Sequence, residues 1–303
     1  MNKRSEQAIV LPGIWEASRA TKRLIGNCVT TLSAADPGYF GPGSVSWRIF
    51  SHASYGASGI AAVLMQAMHP VAMAIVDRQS SFRTDAWRRA HLTADYVFAI
   101  TFSARETADA AAARVRRIHS RIGGTDPATG AVRRADEPEL LLWIHAVHTE
   151  FALRGHATLV AGLSEDDADH FVAEQVKAAE LVGLDAKDVP RTRRELRDYI
   201  ASVPGLGMTD PAMDFARMLL RARMPLAMRP FWALHVAAAA ALLPEDVRRA
   251  YRLPRWLPKG RAAIALLGVA FRTIHHVYLL FRPVRQARAK LRQVELQSRS
   301  VAL

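Results

Sequence analysis

Apolar residues recur along most of this 303-residue chain at the three- and four-residue spacing that is typical of amphipathic helices. The run 58–75 is almost continuously apolar, and Pro70 within it predicts a buried helix that is interrupted or kinked at that residue. Strand-like alternation is nearly absent, so the pattern predicts an all-α fold. Helices are expected over 14–31, 85–100, 105–122, 139–160, 164–182, 192–200, 212–223, 229–242 and 261–295.

Several boundaries of these helices coincide with residues suited to them. Ser44, Ser164 and Thr192 stand where N-terminal caps are expected, because their side-chain oxygens can accept from the first free backbone N–H groups. Gly123-Gly124 after the helix at 105–122 is a favourable C-terminal signal. The segment Ala128–Gly130 suits the turn of a short hairpin.

The chain contains no flexible linker and no repeat of fixed period, which favours one compact domain. We expect an N-terminal helical region over 1–37, the compact domain over 38–250, and a basic extension over 251–303. The formal net charge of +13 is concentrated at the C-terminus, since residues 248–303 hold 13 basic side chains against one acid, Glu295. This asymmetry predicts an anionic partner for the extension.

Composition and missing motifs exclude several classes of protein. Cys28 is the only cysteine, so an internal disulfide and cysteine-based zinc or iron–sulfur sites are ruled out. The apolar stretch near the N-terminus is too short for a signal peptide, and a cytoplasmic location is expected. Phosphate-binding, nucleophile-elbow and zinc-protease motifs are absent. The lack of any Glu-x-x-His weakens the case for a di-iron helical bundle.

Candidate chemistry concentrates on two neighbouring helices. His119 falls on an apolar stripe, where it is either a haem-iron ligand or a core histidine bonded to a backbone carbonyl. Arg89 and Thr93 are four residues apart and share a helix face, from which they can contact dioxygen or simply face solvent. His145 and His148 are three apart on another apolar helix and are candidates to share a metal. The stripe around His119 consists of Ala108, Ala111, Ala112, Val115, Ile118 and Ile122.

The basic extension combines its charge with apolar residues. Residues 262–271 are apolar but too few to cross a bilayer, whose core is about 30 Å thick. With Trp256 and the surrounding arginines, they predict an amphipathic helix that lies on an anionic membrane surface. The alternative is a helix docked on the domain with its arginines in water. The apolar content argues against a nucleic-acid partner.

Six sequence marks, in this order and spacing, give the chain a resemblance to the MpaB-type oxygenase family, which includes the latex-clearing rubber oxygenases. The resemblance covers roughly residues 38–250. The marks are Gly41–Arg48, Leu64–Pro70, Ser81-Phe82, Arg89-x-x-x-Thr93, Val115-x-x-x-His119 followed by Gly123-Gly124, and Leu141–His145.

This resemblance implies an all-helical fold around a b-type haem, with His119 as the proximal iron ligand and Arg89 and Thr93 as the distal pair. It also implies oxidative cleavage of isoprenoid carbon–carbon double bonds. Rubber oxygenases place a lysine just before the distal threonine, whereas this chain has Leu92. We therefore expect the distal side to differ in access and polarity.

The leading hypothesis is a haem b-dependent oxygenase that acts with dioxygen on a hydrophobic isoprenoid or lipid substrate, at the inner face of a membrane. Arg89, Thr93 and His119 would form its site, and the helices at 58–75 and 139–160 would line the substrate channel. One alternative is a haem carrier or sensor without turnover, with a sixth iron ligand such as His91. Another is a membrane-surface adaptor whose function resides in 251–303.

Overall fold

The computed structural model describes residues 28, 31–33, 35–78, 86–160, 163–220, 222, 226–280 and 296, and the side chains of 86–91, 227 and 277–280 are outside this description. Most of the predicted N-terminal region and most of the extension beyond residue 280 therefore lie outside the described residues. Of the predicted helix at 14–31, the structure places Cys28, which is helical and buried.

The described part of the chain is mostly helical, as predicted, with one small two-stranded sheet. Two single turns of 3-10 helix, Ala186–Asp188 and Leu226–Met228, join longer elements. In chain order the elements are α1 (Val45–Phe50), α2 (Tyr55–Gln66), α3 (Pro70–Arg78), α4 (Ala86–Phe102), α5 (Arg105–His119), β1 (Gly123–Thr125), β2 (Val132–Arg134), α6 (Pro138–Leu159), α7 (Glu165–Val182), α8 (Arg193–Ser202), α9 (Asp210–Leu220), α10 (Arg229–Leu242), α11 (Glu245–Ala250) and α12 (Arg261–Leu280).

The three predicted N-terminal caps are confirmed. The hydroxyl of Ser44 accepts a hydrogen bond from the backbone N–H of Trp47 at 3.0 Å. Ser164 and Thr192 accept in the same way from the residue three positions further on, at 3.0 and 3.2 Å. These bonds fix where α1, α7 and α8 begin, because each satisfies an N–H that the helix itself leaves unpaired.

The apolar run around Pro70 is interrupted, which is one of the two predicted outcomes. Helix α2 ends at Gln66, α3 begins at Pro70 itself, and the two axes differ by 104°. Proline suits the first turn of a helix, where its missing N–H costs nothing, and this explains why the second helix starts there. Within the described residues, no single helix is long and apolar enough to span a membrane, although this bent pair passes the same test of length and composition.

Helix α5 ends at His119, three residues earlier than predicted, and the two glycines after it are not its cap. They form β1, which pairs antiparallel with β2 in the predicted hairpin. A Cβ on Gly124 would lie 3.0 Å from the backbone of Ile75 in α3, and one on Gly123 would lie 2.6 Å from the carbonyl oxygen of Arg133. The glycines are therefore explained by close backbone approach, and Gly130 (φ +73°) completes the turn.

Helix α6 is the centre of the fold, because it is apolar and buried on nearly all sides along most of its length. It packs against α2, α10 and α12 in the main core, whose α6 members are Trp143, Val147, Phe151 and Leu159. Helix α12 belongs to the same core through Leu267 and Phe271. The predicted extension therefore begins with a segment whose inner side is docked on the domain.

The closest approach in this core is between α2 and α6, where Gly155 faces Ser58. A Cβ at residue 155 would overlap the Ser58 hydroxyl. Gly155→Ala is therefore expected to lower the free energy of unfolding by roughly 1–3 kcal/mol through overpacking, although alanine favours helices. Urea unfolding measures this loss in the free energy of unfolding. Gly207→Ala is the matched control, because nothing lies within 4 Å of its added Cβ, and equal stability of the two variants would contradict the packing account.

Candidate functional site

Helices α4 and α5 carry the predicted site residues. Only Ser103 and Ala104 separate the two helices, which pack against each other as a hairpin. Arg89 lies 13 residues before the end of α4 and His119 lies 14 residues after the start of α5. At 1.5 Å per residue both are about 20 Å from the turn. Arg89 and His119 are therefore at similar distances from the turn, each along its own helix.

The exposure of these residues corrects part of the predicted stripe. His119 is half-buried, and on its helix Ala108 and Ala112 are fully buried against α4 and α7. Ile118 is 48% exposed, so its assignment to the apolar stripe was wrong. The buried face of α5 is narrow because only the residues spaced by four contact the neighbouring helices. Thr93 is exposed, and the side chain of Arg89 is outside the described residues.

An acidic residue that sequence analysis did not single out lies beside His119. Arg134 donates to both oxygens of Asp136, at 2.9 and 2.7 Å, and this ion pair holds the pKa of Asp136 below its ordinary value. His119 is close enough to lower that pKa further. Arg134 thus engages both oxygens of Asp136, and the influence of His119 on this carboxylate is electrostatic.

Two hydrogen bonds join α2 to α6, and the line of contact between them is here called the inner groove. The Tyr55 hydroxyl lies 2.7 Å from Nε2 of His148, and Nε2 of Gln66 donates to the Ile144 carbonyl at 2.8 Å. Between these bonds the α2 side carries Gly59 and Val63, both partly accessible. Nothing lies within 4 Å of where a Cβ on Gly59 would stand, so α2 leaves open space at this point.

His145 belongs to the α6 side of the inner groove. Protein surrounds it so completely that desolvation lowers its pKa to about 3, and that of His148 to about 4. Both imidazoles are therefore neutral near pH 7. Each side chain nevertheless keeps some accessible surface. Aromatic rings enclose this region, since Phe50 stacks on His148 at 5.6 Å between ring centroids and Tyr55 contacts Phe98 at 6.2 Å.

A third set of histidines joins α12 to the domain. The ring of His275 stacks on that of His52 at 4.1 Å, and His156 of α6 lies 5.7 Å from His52. Burial lowers the pKa of His52 to about 3 and that of His156 to about 4. Neighbouring cations and imidazoles lower these two pKa values further; these neighbours are Arg48, Arg272, His275 and His276.

The donor chemistry fits a cofactor that needs one protein ligand. Among the described residues, no three His, Cys, Asp or Glu side chains come close enough to hold a metal ion together. The pair His145 and His148, predicted as a shared metal site, thus lacks a third ligand in this part of the chain. Haem iron requires a single imidazole, and His119, half-buried beside Asp136, is suited to provide it.

Comparison with protein families gives one match, over residues 47–275, to a family described as "ER-bound oxygenase mpaB/B'/Rubber oxygenase, catalytic domain". The matched segment begins in α1 and ends in α12, so it includes the α4–α5 hairpin and the inner groove. No curated protein and no solved structure matches the chain.

The buried histidines make a prediction about acid stability. The native state keeps His52, His145, His148 and His156 neutral, whereas in the unfolded chain each takes up a proton near pH 6.5. Stability should therefore be fully present above pH 6.5 and fall as the pH drops toward 4, by about 1.4 kcal/mol per pH unit for each histidine.

Urea midpoints measured from pH 7.5 to 4.5 test this. His148→Gln should flatten the curve, and His170→Gln is the control at a histidine whose side chain is 70% exposed. A stability that stays constant across this range would contradict the assignment of neutral histidines.

Proposed function

The chain belongs to the mpaB and rubber oxygenase catalytic-domain family, and on that premise we propose that it is a haem b-dependent oxygenase acting on a hydrophobic substrate. The observation that supports this most directly is the α4–α5 hairpin. Its two helices carry Arg89, Thr93 and His119, the three residues that occupy the family's marks in this sequence.

Each residue has a distinct part in this proposal. His119 would hold the iron through one ring nitrogen. Haem, when bound, supplies the capacity to activate dioxygen. Arg89 and Thr93 orient dioxygen by hydrogen bonds from a guanidinium and a hydroxyl. Leu92 is 47% exposed and carries no amine, so an apolar side chain governs access to the distal side of the iron.

The substrate in this proposal occupies the inner groove. Its described lining is apolar or neutral, with Gly59, Val63 and Ile144 beside the two neutral imidazoles. Such walls exclude water and favour an isoprenoid or acyl chain, because each buried methylene contributes about 0.8 kcal/mol.

Haem content tests the iron assignment. Full-length protein from haem-sufficient cells should show the absorption of a bound haem, and His119→Ala should reduce haem per protein roughly tenfold or more because the iron loses its only protein ligand. His170→Ala is the matched control, since that histidine is exposed and distant in sequence from the hairpin. A colourless protein that takes up no added haemin would overturn the proposal. A pigmented protein that consumes no dioxygen with isoprenoid substrates would instead be a carrier or sensor.

We also propose that an anionic membrane surface is a partner of this enzyme. The outer side of α12 and the loop before it expose large apolar residues, with Trp256 at 80%, Leu266 at 72% and Val269 at 53%. Residues 251–280 contain five basic side chains and no acid: Arg252, Arg255, Lys259, Arg261 and Arg272. This combination suits the headgroup region of anionic bilayers, and it would deliver a greasy substrate without passage through water.

Vesicle sedimentation tests the membrane proposal. The full chain should bind phosphatidylcholine vesicles that contain phosphatidylserine more strongly than vesicles without it. The double variant Trp256→Ala/Leu266→Ser should lose roughly tenfold or more in affinity because two insertable side chains are removed. Val132→Ser is the control, since it removes an equally exposed apolar side chain from the β hairpin. Equal binding of both variants would refute the assignment of this surface.

A further inference from the structure

The segment that joins α11 to α12 carries positive charge and no negative charge. It spans residues 251–260 and is here called the α11–α12 loop. Arg252, Arg255 and Lys259 are exposed, and none of them forms an ion pair within the part of the chain that the structure describes. Exposed arginines elsewhere, such as Arg194 of α8, do pair with an acid. The loop therefore presents three cations whose charge the protein itself leaves uncompensated.

A turn places an aromatic ring among these cations. The N–H of Leu257 donates to the carbonyl oxygen of Pro254 at 3.1 Å, so Arg255 and Trp256 hold the two central positions of a β-turn. Trp256 is 80% exposed, whereas Leu257 beside it is buried. The loop thus has an inner side packed in the protein and an outer side that presents an indole next to a guanidinium.

Contacts from the domain hold the inner side of this loop. The guanidinium of Arg248, itself buried, donates to the carbonyl oxygens of Leu257 and Pro258, both at 3.4 Å. The same guanidinium also donates to a carbonyl near the end of α10. The Tyr251 hydroxyl donates to a backbone carbonyl of α2 at 2.8 Å. These bonds shape the loop in advance, which lowers the entropic cost of binding a partner.

Arg252 has a backbone conformation that favours glycine. Its φ of +50° is the only left-handed value at a non-glycine residue among the described residues. The N–H groups of Arg252 and Leu253 donate to two carbonyls of α11, at 2.9 and 3.0 Å, in the Schellman pattern that ends a helix. Glycine is the usual residue there because a Cβ strains this conformation. An exposed arginine at a position where glycine would be more stable indicates that its side chain acts on something outside the protein.

We propose that the α11–α12 loop is a preformed contact for the phosphate headgroups of an anionic bilayer. Its three cations bind the phosphates, and Trp256 lies at the boundary between headgroups and acyl chains, which suits an indole. The inference rests on the proposed membrane partner, and it adds the residues that make the contact and the shape in which they are held. A nucleic acid would complement the same charges, but the exposed Leu266 on the adjoining helix favours lipid.

Arg252→Gly separates binding from folding. The variant removes one cation and relieves backbone strain, so its urea midpoint should equal or exceed that of the original chain. Its affinity for phosphatidylcholine vesicles that contain phosphatidylserine should nevertheless fall about fivefold, the share of one cation near an anionic surface. Arg252→Lys keeps the charge and should keep the affinity within about twofold.

Arg194→Gln is the matched control. It removes the same unit of charge from a side chain that is 91% exposed on α8. Because that charge lies outside the loop, the affinity for the same vesicles should change less than about twofold. Equal losses in Arg194→Gln and Arg252→Gly would mean that net charge alone drives binding, and they would overturn the loop while leaving the membrane partner in place.

Brominated lipids test where the tryptophan lies. Vesicles whose acyl chains carry bromine near the headgroup end should quench part of the protein's fluorescence. Trp256→Phe should remove most of this quenching, because Trp47 and Trp143 are buried. Quenching that stays undiminished in Trp256→Phe would contradict the placement of the turn at the bilayer.

The remaining outcomes separate this inference from the proposed function. An original chain that binds neither kind of vesicle overturns both the loop and the membrane partner. A short DNA duplex that binds more tightly than vesicles, and loses affinity in Arg252→Gly, would replace the bilayer with nucleic acid as the occupant. The haem assignment stands or falls on His119→Ala, whose pigment does not depend on this loop.

Discussion

The close contact between α2 and α6 is the constraint on which the rest of the structure depends. Gly155 lets the backbone of the central helix approach Ser58 more closely than any side chain would allow. Two apolar helices held this near each other exclude water from the core that they share. The neutrality of His145 and His148 on the central helix depends on this packing, since desolvation is what lowers their pKa values.

The fold and the candidate site divide the chemistry between two places. The α4–α5 hairpin offers the set of groups suited to a single-ligand cofactor, with His119 beside Asp136. The inner groove offers apolar walls and hydrogen bonds but no set of metal ligands among the described residues. In the proposed oxygenase this division separates the reactive centre from the surface that selects the substrate, so each can vary without disturbing the other.

Features that depend on neighbouring residues were predictable from the sequence, and features that depend on distant contacts were not. Ser44, Ser164 and Thr192 cap their helices because a hydroxyl reaches an N–H three residues away. The glycines after His119 were misread because their role is to admit Ile75, a residue far away in sequence. The same limit applies to His145 and His148, whose spacing suggested a metal pair. Their desolvation, and the lack of a third ligand near them among the described residues, depend on contacts between distant parts of the chain.

Gly59 leaves the surface of α2 unfilled at one position. Nothing lies within 4 Å of where its Cβ would stand, so α2 accepts a larger side chain there without a clash. Sequences with this fold can therefore diverge at residue 59 at little cost, whereas residue 155 tolerates no such drift.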